Sequence, residues 1–225
     1  MGGREPVITI DGPAGAGKGT AARLLAERLG YRLVDTGAMY RALAWRVEEA
    51  GLPPEDTPAL RALLREVEID VEGDRVRVDG RDVSAEIRTP RISSLTSRLT
   101  MLAPVRDRLT PLQRALAASG GVILEGRDTG TVVCPDADVK FYLDADLDER
   151  ARRRQAELRA RGVAMEVEAV REEICARDVQ DTTRALAPLR RAPDAILIDT
   201  TGLTVARVVE RMFEAVERRR CSTTS

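Results

Sequence analysis

A glycine-rich segment with a single lysine is the part of this chain whose residue types point most directly to chemistry. It reads Gly12-Pro13-Ala14-Gly15-Ala16-Gly17-Lys18-Gly19-Thr20. Glycines allow backbone N–H groups to close around phosphate oxygens, and a helix that follows adds positive partial charge. Lys18 is one of two lysines beside 34 arginines, which favours a specific role for it over an incidental place in a turn. The segment therefore predicts a site for the phosphates of a nucleoside triphosphate.

The end of this segment narrows the class of protein. Gly19 follows the lysine and the hydroxyl comes one position later, at Thr20, a form typical of nucleoside monophosphate kinases. A GTPase would need an Asn-Lys-x-Asp motif to read guanine, and the chain has no asparagine. A large ATPase would need more chain and an apolar strand that ends in adjacent Asp and Glu. A kinase for a small acceptor fits best.

Three further segments combine arginine with carboxylates or hydroxyls and predict a second anion site. Residues 35–41 and 125–130 each follow a predicted strand, at the sheet edge where ligands bind in such folds. Arg177, Asp181 and Arg184 recur near helical spacing and would share one face of a helix. The alternative interpretation of Arg177, Asp181 and Arg184 is a set of ion pairs on a helix surface. The presence of two other arginine-containing segments makes that alternative weaker.

Five short apolar stretches, separated by stretches with helical periodicity, must position these residues. They are residues 7–10, 32–35, 122–124, 139–143 and 195–198. This alternation predicts an α/β fold with a five-stranded, mostly parallel sheet covered by helices on both faces. We expect Thr36 to cap a helix that runs to about residue 50, and further helices over residues 148–161 and 166–178.

The stretch between residues 67 and 83 changes period and predicts a separate small sheet. Its apolar residues alternate with Glu and Asp before Gly73-Asp74 and with Arg after it. Such alternation is typical of strands with one buried face, and Asp79-Gly80 is a hairpin-turn signal. We expect an antiparallel β insert of two or three strands.

The composition limits the remaining functions. The 225 residues carry a net charge of −1, which gives no reason to expect nucleic acid or an anionic membrane as partner, and the lack of histidine excludes an imidazole base. Cys134, Cys175 and Cys221 are odd in number and far apart, and fit neither a disulfide framework nor a metal site. Without a long apolar run or an apolar leader, we expect a cytoplasmic protein, and we expect a monomer.

Taken together, these segments resemble the bacterial cytidylate kinase family over nearly the whole chain, the β insert included. The specific pieces are residues 8–13, 35–41, 82–89, 126–133 and 184–189. The resemblance implies transfer of the γ-phosphoryl group of ATP to CMP or dCMP, giving CDP or dCDP and ADP, with Mg²⁺ bound to ATP. It also implies a single domain, with a core of residues 1–35, 88–148 and 163–220, a monophosphate-binding lobe of about 36–87 and a helical lid of about 149–162.

The resemblance implies roles for particular residues. Lys18, Arg41, Arg127 and Arg184 would act on the acceptor phosphate and the transferring phosphoryl group. Cytosine would be read by Ser97, Arg106 and Asp128, and the ribose by Tyr40, Arg177 and Asp181. The residues implied to bind CMP are called the CMP-binding set. They are Thr36, Tyr40, Arg41, Ser97, Arg106, Arg127, Asp128, Arg177, Asp181 and Arg184.

The resemblance also implies a set of lid arginines and a metal contact. The lid candidates for closing over the phosphates are Arg150, Arg152, Arg153 and Arg154. Thr20 would reach Mg²⁺ through water, and no direct protein ligand is identified. Thr36 stands where serine is common in the family, and Glu125, one methylene longer, stands where aspartate is common.

The chemistry of cytosine agrees with this assignment. The base offers an N4 amino donor beside the N3 and O2 acceptors, so a carboxylate with arginine or hydroxyl donors suits it. Uracil would place O4 against Asp128, acceptor against acceptor. Two alternatives stay open: a P-loop kinase for UMP, AMP or shikimate, and a nucleotide-binding regulatory module with little turnover.

Overall fold

The strands and α-helices follow one another along the chain in the order β1 (Val7–Asp11), α1 (Lys18–Leu29), β2 (Arg32–Asp35), α2 (Thr36–Glu49), α3 (Pro58–Glu66), β3 (Ile69–Glu72), β4 (Arg75–Val78), β5 (Arg81–Asp82), α4 (Pro90–Leu99), α5 (Ala103–Ala117), β6 (Val122–Glu125), β7 (Val139–Asp144), α6 (Leu147–Ala160), α7 (Val167–Thr183), β8 (Ile196–Asp199) and α8 (Val205–Thr223). This structure, a computed structural model, describes residues 4–73 and 75–223. Asp74 and residues 1–3, on which part of the hairpin and leader predictions rest, lie outside the described residues.

The predicted central sheet is confirmed, with five parallel strands in the order β2-β6-β1-β7-β8. Helices cover both faces: α1 and α8 pack around Ile10 and Met212, and α2, α4 and α5 pack around Leu43 and Leu109. Because the strands are parallel, their carboxyl ends gather at one edge, where the chemistry-bearing segments begin. Within the described part of the chain, the helices are too short or too polar to span a membrane.

The predicted β insert is confirmed as a separate antiparallel sheet of three strands, β3, β4 and β5. Its apolar side chains, among them Val76 and Val78, are buried in the same core as α2, which both β3 and β4 contact. The insert thus braces the helix that carries Tyr40 and Arg41.

The prediction that Thr36 caps α2 is wrong. The cap is Asp35, whose carboxylate accepts a hydrogen bond from the Ala38 N–H at 2.8 Å. Thr36 lies inside the helix, and its hydroxyl donates to the Glu125 carbonyl at the end of the neighbouring strand. A carboxylate at the Ncap position bonds the third helical N–H as well as a hydroxyl does, so Asp35 leaves Thr36 free for β6.

The end of α7 also differs from the prediction of a helix that stops near Asp178. The helix runs to Thr183 because the hydroxyls of Thr182 and Thr183 donate to carbonyls four residues earlier and so fit within its turns. Asp181 therefore lies on the helix. Arg184 is the C-cap of the helix, its N–H donates to the Gln180 carbonyl, and both Arg177 and Arg184 pair with Asp181, so the three side chains lie together as predicted.

Candidate active site

The phosphate loop joins β1 to α1 at the carboxyl edge of the sheet. Gly12 has a φ of 144°, and a Cβ there would overlap the carbonyl oxygen of Leu143 on β7. Gly17 adopts a left-handed conformation and begins α1. Only glycine fits at position 12, and the left-handed conformation at position 17 favours glycine, so the loop reaches the helix N-terminus in the tight form that a phosphate cradle requires.

Lys18 is buried in the first turn of α1. Its ammonium donates to the Pro13 carbonyl at 2.8 Å and lies 3.6 Å from the Glu125 carboxylate. Burial, assisted by the charge of Arg127 and opposed by that of Glu125, lowers the pKa of Lys18 to about 8. Burial raises the pKa of Glu125, and Lys18 opposes that shift. A phosphate beside Lys18 would favour its charged form.

Four arginines line the same cleft as Lys18. They are Arg41 on α2, Arg127 after β6, Arg177 on α7 and Arg184 just beyond α7. Asp181 links the last three, at 3.0, 4.0 and 3.3 Å respectively. Burial, then the neighbouring charge of Arg127, lowers the pKa of Arg177 to about 10. Crowded guanidinium groups of this kind are the electrostatic counterpart of bound phosphates.

The other end of the same cleft carries a carboxylate between two arginines. Asp128 accepts a hydrogen bond from Arg106 at 2.9 Å and lies 3.7 Å from Arg184, and all three residues are buried. The Nε–H of Arg106 donates to the Thr100 carbonyl, and its guanidinium lies 5.8 Å from the centre of the Tyr40 ring. These contacts hold a buried hydrogen-bond acceptor, the Asp128 carboxylate, between two groups of donors, the guanidinium groups of Arg106 and Arg184.

Every residue of the CMP-binding set lines this cleft, as do Ala14, Gly15 and Lys18 of the phosphate loop. Gly19 and Thr20 line an adjoining cavity on the outer side of the loop. The cleft therefore joins residues from α2, α4, α5, α7 and the segment after β6, and it is the fold that assembles them.

The lid arginines on α6 differ in their surroundings. Arg154 lines the cleft, whereas Arg152 is exposed and pairs with Glu149. Arg153 lies beside the phosphate loop and donates to the hydroxyl and the carbonyl of Thr200. Only part of this group therefore faces the cleft in the structure.

Arg150 behaves differently from the other three because it is buried. Its guanidinium donates to the Ala14 carbonyl of the phosphate loop, to the Ala145 carbonyl after β7 and to the Asp178 carboxylate on α7. Arg150 thus ties the loop to the two elements on either side of α6.

Sequence reasoning missed Asp11 as a site residue. It is buried at the end of β1, where its carboxylate accepts hydrogen bonds from the Thr129 and Gly130 N–H groups and from the Thr129 hydroxyl. Burial raises the pKa of Asp11, and these hydrogen bonds oppose the shift. The available signal was an acidic residue at the end of a strand whose other residues are all β-branched.

A magnesium ion that arrives with a nucleotide would find suitable oxygen atoms beside the loop. Thr20, Asp35 and Glu125 line the same cavity. Mg²⁺ keeps several waters and usually takes only one or two protein ligands beside the phosphates, so this donor set fits the ion. Residues 4–73 and 75–223 hold no cluster of three or more acidic or sulfur ligands of the kind a protein-only site uses.

Known proteins show the same architecture and sequence pattern. A family model described as cytidylate kinase matches residues 8–218. A cytidylate kinase from Symbiobacterium thermophilum is 48% identical over 222 residues, or 96% of this chain and 98% of that protein. One from Geobacter sulfurreducens is 48% identical over 226 residues, or 99% and 97%. The crystal structure of a gluconokinase from Sinorhizobium meliloti 1021 has a TM-score of 0.50 at 15% identity and covers 96% of this chain and 93% of its own, a likeness of fold alone.

Proposed function

The chain belongs to the cytidylate kinase family, and from that premise we propose how its cleft performs the reaction of a (d)CMP kinase. The protein transfers the γ-phosphoryl group of ATP to CMP or dCMP and releases ADP with CDP or dCDP. The observation that carries this proposal is the buried Asp128–Arg106 pair at one end of a cleft that begins at Lys18. A phosphate loop alone would support only nucleotide binding.

The cations of the cleft supply the main catalytic effect. The transition state of phosphoryl transfer is loose, and its charge is met by positioned cations. Lys18 binds the β- and γ-phosphate oxygens, Arg127 and Arg184 meet the moving phosphoryl group, and Arg41 holds the acceptor phosphate in line with it. That acceptor is already ionised near neutral pH, so the lack of histidine costs nothing.

Magnesium bound to ATP supplies further neutralisation of the phosphate charge. The Thr20 hydroxyl and the Glu125 carboxylate, which line one cavity, would hold the ion, in keeping with the small number of protein ligands that Mg²⁺ takes. Glu125 also holds Lys18 in place before the nucleotide arrives.

Recognition of CMP uses the opposite end of the cleft. Asp128 accepts a hydrogen bond from the N4 amino group of cytosine, and Arg106 and the Ser97 hydroxyl donate to the N3 and O2 acceptors of the base. The sugar is contacted by Tyr40, Arg177 and Asp181. Uracil is rejected because its O4 would face the Asp128 carboxylate.

We propose that the protein has two segments that move relative to its core, the monophosphate-binding lobe and the lid. Residues 36–87 form the monophosphate-binding lobe, and residues 149–162 form the lid over a core of 1–35, 88–148 and 163–220. Arg154 is the lid arginine that lines the cleft, where Glu157 of the lid also lies, and Arg150 anchors the lid to the phosphate loop.

The metabolic role, location and oligomeric state are proposed from the substrate and from the residues that line the cleft. Phosphorylation of CMP belongs to pyrimidine nucleotide metabolism, and we propose that the protein acts in the cytoplasm, with ATP and CMP or dCMP as partners and without nucleic acid. We propose a monomer because one chain supplies every residue of the CMP-binding set. Light scattering after size exclusion would measure the mass.

An acceptor panel tests the function directly. ADP release would be followed by a coupled enzyme assay with CMP, dCMP, UMP, AMP and shikimate as acceptors. We expect turnover with CMP and dCMP, and a kcat/KM for UMP lower by about 10² or more. Equal turnover of CMP and UMP would contradict the role of Asp128, and a lack of turnover with all five acceptors would favour a regulatory module.

The lowered pKa of Lys18 predicts a pH dependence for ATP. Only the protonated ammonium attracts phosphate, and in the free enzyme it is lost as the pH rises through about 8. We expect kcat/KM for ATP to fall about tenfold per pH unit above that value. The value of kcat should fall only at higher pH, since bound phosphates raise the lysine pKa.

Steady-state rates from about pH 6.5 to 10 would measure both curves, with CMP well below its KM for kcat/KM of ATP and with both substrates saturating for kcat. A kcat/KM for ATP that stays level to about pH 9.5 would show that Lys18 does not control nucleotide binding.

A further inference from the structure

The carboxylate of Asp11 fixes the backbone next to Asp128. Its Oδ1 accepts the Thr129 N–H at 2.9 Å and the Thr129 hydroxyl at 2.8 Å, and its Oδ2 accepts the Gly130 N–H at 2.7 Å. Asp11 is only 4% exposed, so water does not replace these bonds at low cost.

The peptide unit between Asp128 and Thr129 is held from both sides. Its N–H is the one bound by Asp11, and its carbonyl accepts from the N–H groups of Val132 and Val133 at 2.9 and 3.2 Å. A peptide unit fixed at both polar ends cannot rotate, and the direction of the Asp128 side chain is fixed with it.

The floor under this turn leaves little space for adjustment. A Cβ at Gly130 would lie 2.7 Å from the Thr9 hydroxyl and 3.3 Å from the Asp11 carboxylate and from the stem of Lys140. Gly130 therefore packs directly against β1 and β7, and the hydrogen bonds to Asp11 set the position of Thr129 and Gly130 there.

We propose that Asp11 is a positioning residue for Asp128 and thereby sets the discrimination between cytosine and uracil. Asp11 touches neither nucleotide and acts through the Thr129 and Gly130 N–H groups. It is also the residue before Gly12, so the end of β1 aligns the phosphate loop and the base-reading carboxylate in one frame. This inference rests on the proposed function of the cleft.

Asp11→Asn tests the proposal with almost no change in volume. Whichever way the amide turns, its NH₂ group faces a backbone donor, either that of Thr129 or that of Gly130. We expect KM for CMP to rise about tenfold or more, and the CMP-to-UMP ratio of kcat/KM to fall about tenfold or more, while KM for ATP stays within about threefold.

Thr9→Val is the matched control. Thr9 is fully buried on the same strand beneath the same turn, and its hydroxyl has no hydrogen-bond partner. It should keep the wild-type values of KM for CMP and of the CMP-to-UMP ratio, within about twofold. If Asp11→Asn fails to fold, Thr129→Val removes one of the three hydrogen bonds and should lower the ratio about threefold.

The outcomes separate the two proposals. A wild-type protein that does not phosphorylate CMP overturns the function itself. A wild-type protein that does so, with an Asp11→Asn variant that keeps the wild-type ratio or loses ATP affinity as strongly as CMP affinity, overturns the positioning role of Asp11 alone. A ratio that falls equally in Thr9→Val also overturns it, since packing would then explain the effect.

Discussion

Replacement of Arg127 by alanine is expected to lower kcat for CMP by about 10³-fold or more, with a much smaller change in KM for ATP. Arg127 lines the cleft near Lys18, and its guanidinium is held by Asp181 at 3.0 Å. A loss of about 10³ corresponds to about 4 kcal/mol of transition-state stabilisation. Such an effect is reasonable for a guanidinium that meets charge only as the phosphoryl group moves.

The structure indicates that this loss would be catalytic rather than structural. Asp181 keeps two other partners without Arg127, because Arg184 lies at 3.3 Å and Arg177 at 4.0 Å. Arg127→Lys should restore part of the rate, since it keeps the charge but not the planar fork that binds phosphate oxygens.

Initial rates at saturating ATP and CMP, with thermal melting of each variant, would measure the effect. Arg61→Ala is a suitable control because Arg61 is exposed on α3 and pairs with Asp56 outside the cleft. If Arg127→Ala keeps more than about a tenth of the wild-type kcat, Arg127 does not meet the transferring group.

The parts of the site that the sequence predicts are those in which local spacing carries the information. The phosphate loop needs its glycines and Lys18 within nine residues, and the parallel sheet follows from strands that alternate with helices. The change of period after residue 66 similarly predicts the β insert.

The features that could not be predicted depend on partners far away in the chain. The donors to Asp11 lie 118 and 119 residues away, so nothing near β1 indicates them. The charge pattern of α6 suggests a solvated face, yet Arg150 is buried because the phosphate loop and Asp178 both supply acceptors. The wrong prediction of the α2 cap has a simpler reason, since Asp35 and Thr36 are adjacent and both residue types suit an Ncap.

Asp128→Asn is expected to change which base the protein accepts. In the native cleft, one carboxylate oxygen accepts from Arg106 at 2.9 Å, and the other lies 3.7 Å from Arg184. The hydrogen bond from Arg106 Nε to the Thr100 carbonyl keeps this guanidinium in place, so its Nη1 donor still needs an acceptor at position 128. The amide oxygen of the substituted side chain must therefore face Arg106, which leaves the NH₂ group toward Arg184, 3.7 Å away, and the cleft in which we propose that the base binds.

That orientation reverses the selection at position 4 of the ring. The amino group of cytosine would meet a second donor, whereas O4 of uracil would gain one. We expect the CMP-to-UMP ratio of kcat/KM to fall by about 10² or more, because a buried site discriminates strongly through groups left unpaired. The KM for ATP should stay within about threefold, since Asp128 lies at the far end of the cleft from the phosphate loop.

Kinetics with CMP and UMP as competing acceptors would measure the ratio directly, and Asp56→Asn provides an exposed control that also removes a carboxylate paired with arginine. An unchanged ratio would mean that Asp128 does not read the base. Loss of ATP affinity to the same extent as CMP affinity would mean that the variant disturbs the whole cleft. A ratio that falls through a gain in UMP turnover is the result that only a reversed hydrogen bond explains, because a loosened cleft would lose CMP without accepting uracil.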